Sequence, residues 1–520
     1  MGQVKLTTGL WTPLLLLLLV LSLTWSDVAS AAPLWDERTG GLGLSGPASA
    51  HPASFLYNPA ALGLQPGRLI AVYVDGTLRL GHGTYSRRSI DTLTGDPTSA
   101  GGTTVKDFDD ERLLELFPQP MVAISSSLGS DKVVLSLSTL TAHTQRVDFM
   151  RGDGGNWFDG ASQGPTRYVA TELTQYHLFN NLTASWQVAD FLIIGASFRL
   201  VWGYLDLGFV RDTALDGGTV RDAETEPDAL DDCGAGVPCN YESDDAAEAT
   251  RVAGSAWGLG FSVGIVVRPH PSVDVGVGYV SRVLGTDGGE LAARGAAWVE
   301  RSRATYLSSL SDPNPVRSLE GRGTLFYALP DAVNLGVTWR ITRRWLLDLQ
   351  LRWVNYSVND RISLRLSGSM FRRKPSVPER IDQYRGFQDV WAAQVGGAFR
   401  VRDNLDLQSA LMLETSAAPS DLVTPVTVDA TKLDLMLALA WHLGAHVTLR
   451  AGYTLGWMPT VDQQTSRYSP SLMVNCVDAR YDIDLRDCKA SSDGLGMPST
   501  AGSYSLLTHR FGTSVTFHLQ

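Results

Sequence analysis

Three arginines and four cysteines are the side chains of this sequence best suited by type and spacing to chemistry. Arg340, Arg352 and Arg450 stand at the polar positions of segments in which apolar and polar residues alternate, so all three lie on the polar face of their segment. A guanidinium there can hold a carboxylate through two parallel hydrogen bonds. It can equally pair with Asp274, Asp348 or Asp434 of similar segments and do no more than solvate that face. Cys233 and Cys239 share one long polar stretch, and Cys476 and Cys488 share another. Of the three connectivities open to four cysteines, two local pairs are preferred, which suits an oxidising compartment. No histidine accompanies them at zinc spacing, so no metal site is expected. The Gly-x-Ser-x-Gly runs at 160–164 and 260–264 lead into no helix, as a nucleophile elbow must, and neither an enzyme nor a cofactor is expected.

The elements that must position these residues begin after an address. Lys5 precedes an apolar run from Leu14 to Leu23, broken only by Ser22, and Ala29-Ser30-Ala31 supplies a small-x-small cleavage pattern. Residues 1–31 therefore read as a cleaved signal peptide, and the run is too short to span a bilayer as a helix. Charged residues make up 19% of the chain, below the usual quarter, while 51 glycines in 520 residues point to many turns. The net charge of −11 argues against a nucleic-acid partner.

Period-two patterning dominates the rest. From Val447 to Trp457 every odd position is Val447, Leu449, Ala451, Tyr453, Leu455 or Trp457, and every even one is Thr448, Arg450, Gly452, Thr454 or Gly456. Leu433 to Leu443 and Trp345 to Trp353 alternate in the same way. A helix would mix the two sets on every face, so these are strands. Fourteen can be read, near 67–81, 120–129, 132–149, 168–189, 191–211, 252–269, 272–285, 322–341, 344–359, 387–402, 404–416, 430–443, 446–457 and 503–519. Their connections alternate between short and long. The short ones fall at Ser130-Asp131, Asp190, His270-Pro271, Arg343, Asp403 and Gly444-Ala445. An even strand number, with short turns at one rim and long loops at the other, is the pattern of an outer-membrane barrel. Pro330 should mark a bulge or break in the eighth strand.

Several segments match a known family. Tyr57-Asn58-Pro59-Ala60-Ala61-Leu62 is similar to the Asn-Pro-Ala-x-Leu segment of the N-terminal hatch of the FadL/TodX outer-membrane transporters. Leu329 to Val337 resembles the Leu-Pro segment that leads into one of that family's barrel strands. Trp345 to Tyr356 resembles its Trp-rich continuation, and Leu449 to Tyr453 matches a common strand ending. The resemblance implies an all-β, fourteen-stranded transmembrane antiparallel barrel over residues 67–520, with a hatch over 32–66 that contains Asn58, Pro59 and Ala60. It also implies passive transport of hydrophobic small molecules, long-chain fatty acids first among them, by a single chain embedded among outer-membrane lipids and lipopolysaccharide. Exit would be past the hatch or through a lateral wall opening. An open porin or a surface-binding barrel is the alternative that the strand pattern alone permits. A water-filled pore suits an alkyl chain poorly, because keeping it in water costs about 0.8 kcal/mol per methylene.

Other features read as surface. The stretch 211–250 holds twelve acidic residues and two arginines; it is expected to be a solvated loop, with divalent-cation bridging to lipid phosphates as the sharper possibility. Arg372-Arg373-Lys374 is expected in an external loop. Asn181 and Asn355 fit the glycosylation pattern by chance, lying in predicted strands. The chain ends Phe517-His518-Leu519-Gln520, with Phe517 as the expected terminal aromatic of the barrel.

Overall fold

Leu, Val and Trp occupy one face of each alternating segment because that face meets lipid, and the chain closes the segments into a barrel. The computed structural model describes residues 44–65, 70–91, 98, 105–149, 164–212, 242, 247–302, 306, 314–373, 377, 380–466, 468 and 500–519. Its staves are β1 (Ile70–Arg87), β2 (Glu111–Ser126), β3 (Val133–Asp148), β4 (Glu172–Ala189), β5 (Leu192–Asp212), β6 (Ala247–His270), β7 (Val273–Val280, Leu284–Gly285 and Leu291–Glu300) and β8 (Ser318–Tyr327 and Ala332–Arg340). The remainder are β9 (Trp345–Val354 and Arg361–Ser367), β10 (Arg380–Tyr384 and Val390–Arg402), β11 (Leu405–Glu414), β12 (Lys432–Leu443), β13 (Val447–Trp457 and Val461–Gln463) and β14 (Gly502–Leu519). The staves pair antiparallel with their sequence neighbours, and β14 returns to β1 from Ile70↔Leu519 to Arg87↔Gly502. The barrel is thus closed with fourteen strands, which removes the sheet edges that lipid cannot satisfy.

The short turns lie between staves where the sequence places them, all at one rim. On the lipid face, Trp339, Trp345, Trp441 and Trp186 stand near that rim, and Trp257, Trp391 and Trp457 toward the other; all are exposed. Trp345 and Trp353 are eight residues apart on β9, about 26 Å along a strand at 3.3 Å per residue. At a tilt of about 35–45° this rises about 20 Å, which fits within the roughly 25 Å height of an outer-membrane apolar band.

Several staves extend beyond their expected ends on the long-loop side. β1 runs to Arg87 and β2 begins at Glu111, because above the lipid the alternation inverts. There the outer face meets water and the inner face holds the apolar residues. β8 shows the change directly: Leu335 and Trp339 face lipid and are exposed, whereas Leu319, Leu325 and Tyr327 face the lumen and are buried. The break expected at Pro330 lies between these two parts, with Val283 bridging to Leu329, and it re-phases the strand so that odd positions turn from lipid to lumen. Facing interruptions occur in β7, in β9 at 355–360 and in β10 at 385–389.

Candidate functional site

Residues 44–65 lie within the lumen against the wall. Asn58 caps the 3₁₀ helix Pro59–Leu64: its Oδ1 accepts from the Ala60 N–H at 3.0 Å, and proline at the first helical position needs no donor partner. The Asn58 amide also donates to the Pro47 carbonyl (2.7 Å) and to the Ile265 carbonyl of β6 (3.0 Å). One fully buried side chain therefore folds the segment and fixes it to the barrel. Asn334 of β8 donates to the Tyr57 carbonyl, Arg199 of β5 to the Leu56 carbonyl and Ser185 of β4 to the Ala60 carbonyl. Gly264 and Gly278 permit the approach, because a Cβ at either would overlap Asn58 Oδ1 or the Tyr57 carbonyl oxygen.

The three sequence-selected arginines are not brought together. Arg340 is at the short-turn rim, donating to Asp274 at 2.7 Å, the pairing the sequence offered as its solvating role. Arg352 lies beside the lumenal segment, 5.9 Å from the Tyr57 ring centroid. Arg450 donates to Thr516 on β14. Asp434 accepts from Arg510 at 3.4 Å, and Asp348 from Thr338 and Gln350. Arg373 donates to the Asn314 carbonyl in an external loop. Asn181 is buried on β4, bonded to Ser138. Cys233, Cys239, Cys476 and Cys488, the signal sequence, Lys374 and most of the acidic stretch lie outside the described residues.

Sequence reasoning missed a gap in the wall. The β2–β3 ladder ends at Met121↔Leu140, although β2 stays paired with β1 to Glu111 and β3 with β4 to Asp148. Pro118 and Pro120 lie two residues apart on β2, so their missing N–H groups face the same neighbour. The β1 ladder passes both without a break, which places the missing donors on the β3 side. Across the gap, β3 carries a bulge between Ala142 and Gln145, with His143 at a φ of 49°. Gln119 Nε2 reaches Thr144 Oγ1 at 3.3 Å, and Gln145 donates to the Val426 carbonyl of a loop folded into the lumen. The signal was visible as Pro-Gln-Pro within a strand, a placement that argues for an unpaired edge.

The lumen changes character at the level where the gap begins. Above it, inward positions are Leu140 and Ala142 on β3, Phe179 on β4 and Val201 on β5; below it they are Ser138, Asn181 and Arg199. Each of the three staves switches from apolar to polar within one inward step. The inward side chains above this level belong to a continuous apolar cluster that includes Leu173, Leu205, Leu325 and Val423.

Comparison with known proteins agrees with this geometry. Residues 20–484 match the family model described as outer membrane protein transport protein (OMPP1/FadL/TodX). The chain belongs to the OMPP1/FadL/TodX family. A FadL homologue from Pseudomonas aeruginosa superposes with a TM-score of 0.67 at 14% identity, covering 95% of this chain and 99% of that one. The toluene transporter TodX of P. putida gives 0.60 at 13% identity, with 95% and 100% covered. The monoaromatic hydrocarbon channel CymD gives 0.51 at 14% identity, with 94% and 98% covered. At these identities the structures establish a shared fold. A search of curated sequences returned no match. As a FadL/TodX family member the chain is an outer-membrane β-barrel and a channel for hydrophobic compounds.

Proposed function

We propose that this barrel passes long-chain fatty acids from the exterior into its apolar upper chamber and releases them sideways through the β2–β3 gap, with residues 44–65 acting as a hatch below. The observation that carries the reading is the coincidence of two levels. The wall opens where the lining turns from Leu140, Phe179 and Val201 to Ser138, Asn181 and Arg199. An alkyl chain leaves through apolar surroundings more readily than down a polar passage. Hatch segment and wall are joined by hydrogen bonds at Ile265, Ser185, Arg199 and Asn334, and across the gap, where the ladder has stopped, Gln119 reaches Thr144.

The test is uptake of labelled oleate and of a small sugar into vesicles carrying the refolded protein. Oleate should enter well above empty vesicles, with the sugar excluded. A closed-wall variant, Pro118→Val and Pro120→Val with His143 deleted to restore the β3 register, should migrate as a folded barrel and lose at least tenfold in oleate uptake. Undiminished uptake by that variant would rule out the lateral route, and sugar entry would indicate an open porin.

A further inference from the structure

Four arginines line one open cavity at the short-turn rim, the periplasmic side of such a barrel. The turn between β8 and β9 supplies Arg343 and Arg344, the end of β8 supplies Arg340, and the end of β10 supplies Arg400, around a space of about 700 Å³. The turn is held by its main chain and by Thr342. The Arg344 and Trp345 N–H groups donate to Thr342 Oγ1 at 3.1 and 3.0 Å, and the Arg344 carbonyl accepts from the Arg400 N–H at 2.9 Å.

Two of the four charges are matched, since Arg340 donates to Asp274 at 2.7 Å and Arg400 to Asp406 at 3.1 Å. Arg343 and Arg344 are exposed, and among the described residues their side chains have no ion-pair or hydrogen-bonding partner. In a chain of net charge −11 they form a local positive excess of two, which favours a ligand of net negative charge over a zwitterion. A guanidinium presents a planar fork that fits phosphate oxygens.

The walls of the cavity favour a lipid as the source of that phosphate. Leu346 and Ala398 form its lumenal side and pack with Leu44. Trp345 lines it as well, yet belongs to the lipid face, 54% exposed, with its ring centroid 4.5 Å from that of Phe399 on β10. The cavity therefore crosses the rim at the start of β9, from lumen to lipid, and Trp339 and Ile341 continue the exposed apolar surface beside it. Interfacial aromatics of this kind stand at the level of lipid headgroups.

We propose that the β8–β9 turn is a binding site for an anionic phospholipid of the periplasmic leaflet, its phosphodiester held by Arg343 and Arg344 and its acyl chains laid along Trp345 and Phe399. The occupant is a lipid of the surrounding leaflet rather than a molecule in transit, so the site stands or falls independently of the transport reading.

The experiment titrates dioleoyl phosphatidylglycerol or dioleoyl phosphatidylcholine into the refolded protein in non-ionic detergent, with and without soluble glycerol 3-phosphate, and counts bound lipid by native mass spectrometry. Wild type should bind one phosphatidylglycerol about tenfold more tightly than phosphatidylcholine, and an equal concentration of glycerol phosphate should not displace it. R343Q/R344Q should still fold, because the hydrogen bonds of the turn use the backbone of these residues, and should lose the preference. R372Q/R373Q, which removes the same charge from an external loop, should bind both lipids as wild type does. Phosphatidylglycerol held by R343Q/R344Q at wild-type strength would overturn the site. Equal loss in the two double variants would overturn it as well, by reducing the preference to net charge. Displacement by glycerol phosphate would assign the cavity to a free phosphate ester and refute the lipid.

Discussion

A methyl group on Gly278 would occupy the space of the Tyr57 carbonyl oxygen, and one on Gly264 that of Asn58 Oδ1. The first obstacle is backbone and the second ends a side chain held by three hydrogen bonds, so the hatch segment must move. Overpacking of this kind costs about 1–3 kcal/mol, and the wall, held by its ladders, is the less yielding partner. The double variant G264A/G278A should therefore keep the barrel folded while raising ion conductance in planar bilayers several-fold over wild type; unchanged conductance would show that the hatch accommodates the methyls in place. The Asn58-Pro59 turn was legible in the sequence because capping is local: asparagine, proline and the amide they satisfy lie within three residues. The glycines were not, since Gly278 meets Tyr57 only through a register set by the closed barrel. The arginines illustrate the same limit. Alternation gave the face each belongs to, but Asp274 became the partner of Arg340 through the β7–β8 pairing.

At the scale of elements, one loop carboxylate ties down three parts of the extracellular end. Glu242 receives Arg87 from the end of β1 and Arg167 (2.9 Å) from the turn before β4, and its carbonyl accepts from Lys106 at 3.0 Å. Burial alone would raise the Glu242 carboxyl, yet the guanidinium groups of Arg87 and Arg167 hold it below the ordinary carboxylate value. A carboxyl depressed in the folded state contributes stability that is present above its unfolded pKa and is lost as pH falls through the lower folded value. Acidification below the usual carboxylate range should thus loosen these loops, seen as faster amide exchange around residues 105–108 and 164–169. E242Q should exchange rapidly at neutral pH and show little further change on acidification; an E242Q protein protected like wild type would rule out the tie. Element boundaries were legible only where the outer face meets lipid. In the upper parts of β8 and β9, Leu319, Leu325, Ile362 and Leu364 face inward and polar neighbours face water, so the phase changes partway along a stave and a single period misjudges its length. The strand number survived because each short turn was marked in sequence.

For the molecule as a whole, the two exits make opposite demands on the hatch. Leaving downward requires residues 44–65 to detach from the wall and the alkyl chain to pass Ser138, Asn181, Thr183 and Ser197, all inward and buried. Exposing a sixteen-carbon chain to a wet polar passage costs roughly 12 kcal/mol at 0.8 kcal/mol per methylene, too much for steady diffusion unless the hatch builds an apolar path as it moves. Leaving sideways breaks no ladder hydrogen bond above Met121, and parting Gln119 from Thr144 trades one neutral hydrogen bond worth about 1 kcal/mol. The hatch can be locked at a point where it already touches the wall: a Cβ on Gly63 would lie 2.6 Å from Ser185 Oγ, close enough for G63C and S185C to form a disulfide after small adjustment. Oxidised G63C/S185C should carry oleate at the wild-type rate, and reduction should change nothing, because the hatch then serves as a floor. Uptake that collapses on oxidation and returns with reductant would instead place the exit through the hatch, leaving the β2–β3 gap a structural irregularity of the wall.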